Sequence, residues 1–237
     1  MSSRATATES AARAGAAGAA GAAGRSRRAA RVSGEERESA ILATAERLLE
    51  ERSPQQISVD DLARGAGISR PSFYFYFPSK EAVFLSLIDR LVAEADSGRA
   101  QVLEHLAEDP AARWREGLET IFGVFGAHRA VALAGAEIRA VSAEARELWS
   151  GVMESWVDDT AAAIEAERAR GAAPEGVLAR DLAVALVSMN ERVLYAAFTG
   201  EAPALAEERL LEVLLPIWLS AIYGTTTPAG ARATLER

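Results

Sequence analysis

Seven side chains between positions 70 and 80 have the types and spacing to grip and read a DNA duplex: Arg70, Pro71, Ser72, Tyr74, Phe75, Tyr76 and Lys80. A guanidinium such as that of Arg70 can donate a pair of hydrogen bonds to guanine, and the apolar surfaces of Pro71 and Phe75 suit a thymine methyl. Base readout is therefore expected from Arg70, Pro71, Ser72 and Phe75. Lys80 and Tyr76 are expected on backbone phosphates, with Tyr74 making a lesser contact. Asp60 and Asp61 are expected only as favourable charges at a helix N-terminus, not as readers.

No other constellation promises chemistry of bond making. The chain has no cysteine and only two histidines, His105 and His128. No serine stands in a nucleophile elbow, no glycine loop is built for phosphate, and no His/Asp/Glu spacing suggests a metal. The expectation is a protein that is not an enzyme and carries no cofactor or metal.

The elements that must position the seven side chains follow from the local sequence. Ser58 with Asp61 three residues on is a capping-box pattern that opens a short helix carrying Leu62, Ala63 and Ala66. Gly67 supplies a turn that tolerates a left-handed backbone. Ser69 caps the next helix, with Pro71 in its first turn, where a missing N–H costs nothing. At 100° per residue Phe73 and Phe77 share the inward face, Pro71, Ser72 and Phe75 lie opposite, and Tyr74 and Tyr76 flank them. Pro78-Ser79-Lys80 restarts a helix whose free N–H groups suit a phosphate. Helix, glycine turn, helix is the helix-turn-helix unit, whose second helix enters the major groove.

This stretch, and above all Tyr74-Phe75-Tyr76-Phe77-Pro78-Ser79-Lys80, resembles the TetR family of one-component repressors, in which "Y-x-H-F-x-x-K" closes the DNA-binding unit. Here tyrosine replaces the usual histidine. The segments ILATAERLLE, ELWSGVMESW, AERARGAAP, MNERVLYAAF and IWLSAIYG extend the resemblance to the EthR-like subgroup over about residues 35–224. That likeness implies a repressor of double-stranded operator DNA, associated with a flavin monooxygenase gene.

All four tryptophans lie beyond residue 110. Trp149, Met153, Trp156 and Thr160 share one helical face, as do Trp114, Ile121 and Phe125, while Asn190 sits amid apolar neighbours with Tyr195 beyond. Read by themselves these residues are either a packed aromatic core or an apolar cavity with polar handles for a small molecule. The resemblance implies the second. In the subgroup the positions of Trp114, Ile121, Phe125, Trp149, Met153, Trp156, Thr160, Asn190, Tyr195 and Trp218 line a long, narrow tunnel for a hydrophobic effector. Val187 departs from an asparagine of the subgroup, and Asp159 from a tyrosine, which puts the tunnel's polar contacts in question. The family also implies a homodimer through its last two helices, for which Leu182, Leu186, Leu210, Leu214 and Ile217 are candidates and Pro216 is awkward.

Net charge is −8, yet residues 1–32 hold six arginines against one glutamate. This Ala/Gly/Ser/Arg segment has almost no large apolar residues to bury and is expected to be a disordered basic arm. It is either a solvated extension or an arm that follows the DNA backbone through Arg25, Arg27, Arg28 and Arg31. The expected organisation is a DNA-binding domain over 33–80, a ligand-binding and dimerisation domain over 81–224, and a frayed tail over 225–237. Helical periodicity runs throughout with no strand-like alternation, so the fold expected is all-α. No apolar run reaches 18 residues and no secretory leader is recognisable, so no membrane partner is expected and the cytoplasm is the expected location. The competing reading is a helical carrier of a lipid or other hydrophobe with a vestigial DNA-binding unit.

Overall fold

The computed structural model describes residues 34–229, and the basic arm of residues 1–32 lies outside them. Among the described residues the chain is helical, with no strand. The first helix, α1 (34–49), buries Ile41, Leu42, Ala45, Leu48 and Leu49. A 3-10 turn, Pro54–Gln56, leads to α2 (Val59–Gly65) and α3 (Arg70–Phe73). Gly65 lets α2 lie close to α1, because a Cβ there would stand 2.2 Å from Thr44 Cγ2.

The 25-residue α4 (Lys80–Glu104) starts at the DNA-binding unit and packs against three helices of the remainder. These are α5 (Pro110–Ala127), α6 (Arg129–Val141) and α7 (Ala143–Ala169). Asp109 and Ser142 cap α5 and α7, accepting from Ala112 N and Ala145 N at 3.1 and 3.2 Å. Two further helices, α8 (Ala179–Thr199) and α9 (Leu210–Tyr223), close the bundle against α7 and α5. By length and composition alone α8 could span a membrane, but Ala183, Leu186, Val187, Leu194 and Phe198 are buried inside the bundle.

The last helix begins at Leu210 after a 3-10 turn, Glu207–Arg209. One expectation shifts, that for the dimer candidates: Leu186, Leu210 and Leu214 are buried within the chain and Leu182 is half-buried, leaving Ile217 exposed. The helices are apolar on more than one side, so periodicity could not tell the inward stripe from the outward one.

Buried polar groups tie the lower end of the bundle together. Tyr223 donates to Glu167 Oε2 at 2.8 Å and accepts from Trp114 Nε1 at 3.0 Å. Arg170 donates to both Glu167 oxygens, at 2.6 and 2.5 Å. Helices α5, α7 and α9 thus share one chain of hydrogen bonds.

Candidate nucleic-acid interface and ligand tunnel

The capping pattern at Ser58 is realised in full. Its hydroxyl oxygen accepts from Asp61 N at 3.2 Å, and Asp61 Oδ2 accepts from Ser58 N at 3.0 Å. The Ser58 hydroxyl and backbone N–H hold the Asp61 carboxyl below the usual range, with Arg52 and Arg64 adding to the effect. Gly67, at φ +68°, makes the turn between the two helices.

The second helix is shorter than expected. Regular helix ends at Phe73, and tighter turns carry the chain to Phe77 through Phe75 N to Ser72 O and Tyr76 N to Phe73 O. Pro78 disfavours helical backbone at Phe77, and so few residues cannot propagate a longer helix. The division of faces nevertheless holds. Phe73 and Phe77 are buried with ring centroids 6.1 Å apart, while Phe75 is 86% and Tyr74 47% exposed. Arg70 and Pro71 are exposed and Ser72 is partly so. The Tyr76 hydroxyl is 3.5 Å from an Arg37 nitrogen of α1.

Lys80 does not point outward. Its Nζ donates to the carbonyl oxygens of Ile57, Pro54 and Gln55 at 2.8, 3.0 and 3.3 Å. The three donors of an ammonium are thereby used on two carbonyls of the 3-10 turn and one just after it. Sequence reasoning saw a cation at a helix N-terminus and assigned it to phosphate; convergence of carbonyls from 23 to 26 residues away is invisible locally. Lys80→Ala is expected to destabilise the fold by about 2 kcal/mol, the scale of hydrogen bonds to a charged group. The salt slope of DNA binding should stay unchanged, whereas loss of a phosphate contact would lower it by about one unit. Thermal unfolding and a salt titration of operator binding check both halves.

Behind α4 the aromatic residues surround a tunnel. Trp114, Ile121, Phe125, Trp149, Trp156, Thr160, Asn190, Tyr195 and Trp218 all line it, and Met153 is half-buried but not on its wall. The cavity volume is about 90 Å3. Phe125, Trp149 and Trp156 meet edge-on with centroids 6.0 to 6.3 Å apart, and Trp114 lies 5.1 Å from Trp218. Trp114, Phe125, Trp156 and Trp218 are buried and also line the cavity, so core and cavity are built from the same side chains.

Each indole N–H is turned to a protein acceptor: Trp114 to Tyr223, Trp149 to Glu191, Trp156 to Asp96, and Trp218 to the Asn190 side-chain oxygen. The tryptophans therefore offer the tunnel mainly carbon. Sequence reasoning missed Arg139 and Glu191, which also line it. Arg139 donates to Glu191 at 2.7 Å, and its guanidinium lies 4.3 Å from the centroid of a Trp149 ring. The signal available was an arginine and a glutamate among apolar neighbours on two helices, but nothing local showed the two facing one another. Val187 lines the tunnel, while Asp159 is exposed and off its wall.

Trp156 and His128 link the aromatic helices to α4, and His128 reaches on to α1 of the DNA-binding unit. Trp156 Nε1 donates to Asp96 of α4 at 2.7 Å. His128, at the corner between α5 and α6, meets Glu46 of α1 through Nδ1 and Glu94 of α4 through Nε2. No group of acidic, histidine or cysteine side chains among the described residues is placed to hold a metal.

Comparison with known proteins agrees with this architecture. The family model for the C-terminal domain of the transcriptional regulator EthR matches residues 114–224, and that for bacterial regulatory proteins of the tetR family matches residues 41–87. The HTH-type transcriptional regulator EthR of Mycobacterium tuberculosis is 56% identical over 200 residues, which cover 82% of this chain and 91% of that protein. Its namesake from Mycolicibacterium smegmatis is 56% identical over 196 residues, covering 83% and 90%. Among solved structures, SmeT, the repressor of a Stenotrophomonas maltophilia multidrug efflux pump, superposes with a TM-score of 0.65. It is 18% identical, over 82% of this chain and 91% of SmeT, a likeness of fold alone. These relatives are regulators rather than enzymes, and the chain belongs to the TetR family of DNA-binding transcriptional regulators, in its EthR-like branch.

Proposed function

We propose that the protein is a ligand-responsive repressor that binds a near-palindromic operator as a homodimer and lets go when a hydrophobic molecule fills the aromatic tunnel. The observation that carries this reading is the hydrogen bond from tunnel-wall Trp156 to Asp96. Asp96 lies on the same continuous helix that begins at Lys80 beside the exposed recognition surface. On that surface Arg70, Pro71, Ser72 and Phe75 contact bases, while Tyr74 and Tyr76 contact the backbone. Lys80 serves by holding the turn before α2. In the tunnel the ligand threads between Trp114, Phe125, Trp149 and Trp156, with Asn190 and Thr160 as polar handles. On the resemblance, a monooxygenase gene is the first target to examine.

A second copy of the chain covers the outward face of α8 and α9. Val184 and Ile217 are 44% and 43% exposed there, with Ala185, Ser188, Pro216, Ser220 and Ala221 also exposed and none of them charged. Pro216 faces outward in this stripe. Two such faces form a four-helix contact that spaces the recognition helices about 34–36 Å apart, one turn of DNA. The test is sedimentation at micromolar concentration combined with a salt titration of operator binding. A dimer whose log affinity falls steeply and linearly with log salt is expected. A monomer with and without DNA, or retention of a hydrophobe with no salt-dependent DNA binding, would instead mean a carrier.

A further inference from the structure

The first turn of α2 carries two adjacent acids that do different things. Asp61 turns back onto Ser58 and is paired with Arg52 and Arg64 at 3.6 and 3.5 Å. Asp60 faces the other way, and its Oδ2 accepts from Arg70 NH1 at 3.0 Å across the glycine turn. Arg70 is the first residue of α3, where free N–H groups disfavour a cation, and the Asp60 carboxylate offsets that. The Tyr74 hydroxyl, one turn on, also stabilises the guanidinium, and with Asp60 it raises the Arg70 pKa above its ordinary value. The guanidinium is thus held from two sides while its side chain stays 56% exposed.

We infer that Asp60 is a specificity residue: it orients the Arg70 guanidinium so that its remaining N–H groups are already aimed at a guanine edge. A free arginine must be ordered when it binds, and a side chain fixed beforehand avoids that loss. Bidentate recognition needs the planar fork in one orientation, which a single carboxylate contact on NH1 can set while leaving other donors free. The carboxylate also repels phosphates. That repulsion acts equally on every sequence, whereas orientation acts only where there is a guanine to read. The two effects therefore separate in the ratio of operator to non-operator affinity.

The inference rests on the proposed base contact of Arg70, and the experiment keeps the two apart. Operator and scrambled-duplex affinities are measured for the full chain and for Asp60→Ala, Asp60→Asn, Arg70→Ala and the Arg70→Ala/Asp60→Ala double variant. Asp60→Ala is expected to bind scrambled DNA more tightly yet lose about 3- to 10-fold in operator preference, the scale for one rotamer-rich side chain. Asp60→Asn, which keeps an acceptor oxygen, should recover part of that preference. In the Arg70→Ala background, removal of Asp60 should leave the preference unchanged, because the residue it orients is gone. Thermal midpoints of the Asp60 variants should stay within about 4 °C of the parent, since the pair is exposed and only a first-turn charge is lost. If Arg70→Ala loses preference but both Asp60 variants keep it within twofold, Asp60 orients nothing and the inference fails alone. If Arg70→Ala keeps full preference, the base contact fails and the inference with it.

Discussion

Glu167→Ala is expected to destabilise the protein by about 3 kcal/mol, the lower end of the cost of removing one partner from a buried ion pair. For a chain of this size that corresponds to a fall of about 6–12 °C in thermal midpoint. The carboxylate is only 2% exposed and accepts from Tyr223 and twice from Arg170. Its loss leaves a buried phenol with no acceptor. Burial pushes the Tyr223 phenol far above its ordinary pKa, so it cannot escape by ionising. Arg170 is 21% exposed and can turn towards water, which is why the lower end of the range applies. Glu167→Gln retains an acceptor and should cost about half as much. Replacing the carboxylate, the guanidinium and the phenol together by apolar groups should cost less than Glu167→Ala, because no charge is then left unpaired and only the Trp114 N–H loses its acceptor. Calorimetry of the three variants decides this, and a midpoint within 2 °C of the parent for Glu167→Ala would rule the account out.

The second large effect concerns the tunnel. Ile121 lines it midway along α5, beside Phe125 and one turn from Gly117. A tryptophan there extends into empty space rather than into packed core, so the usual cost of overpacking, about 1–3 kcal/mol, is largely avoided. In the parent, a hydrophobe that prefers the DNA-incompetent state a hundredfold supplies about 2.7 kcal/mol of coupling. The route is short. A ligand that displaces Trp156 disturbs its bond to Asp96, and α4 carries the shift along about 24 Å of helix, from Asp96 to Lys80 beside the recognition surface. Operator DNA must in turn weaken ligand binding by the same factor. For Ile121→Trp, operator affinity without hydrophobe should match the parent. Addition of a long-chain ester should change it by no more than a few-fold, measured by fluorescence anisotropy of labelled operator. A parent-sized response in the folded variant would place the ligand elsewhere.

Much of this molecule could be read locally. Capping needs only a hydroxyl or carboxylate and a backbone N–H three residues on, so Ser58, Ser69, Asp109 and Ser142 announce their helices directly. Phe73 and Phe77 were legible for a similar reason, since four residues of separation fixes a common face whether the backbone is regular helix or a run of turns. The aromatic wall was recognisable as a set, but whether it enclosed space depends on ring angles that only packing decides. What stayed hidden were contacts between distant segments. Glu167 reads as one more acid on a charged helix, and only the approach of α9 makes it a buried acceptor. Asp60 reads as a favourable first-turn charge, which it is, while its bond to Arg70 depends on the angle between α2 and α3. The exposed apolar stripe proposed to meet a second copy was obscured because α8 and α9 carry apolar residues on both sides.

Lys80 is the only lysine in a chain that otherwise draws its cations from arginine. Three convergent carbonyls suit a tetrahedral ammonium and not a flat guanidinium, so the exception falls where the geometry demands it. The consequence is chemical. An amine-selective acylating reagent finds one side-chain target here, and it reacts only with a neutral nitrogen that has left its carbonyl cage. Acylation at this residue would be slow in the closed unit and faster whenever the turn before α2 lets go. The protein therefore carries its own single-site reporter for the opening of its DNA-binding end, with no label to engineer.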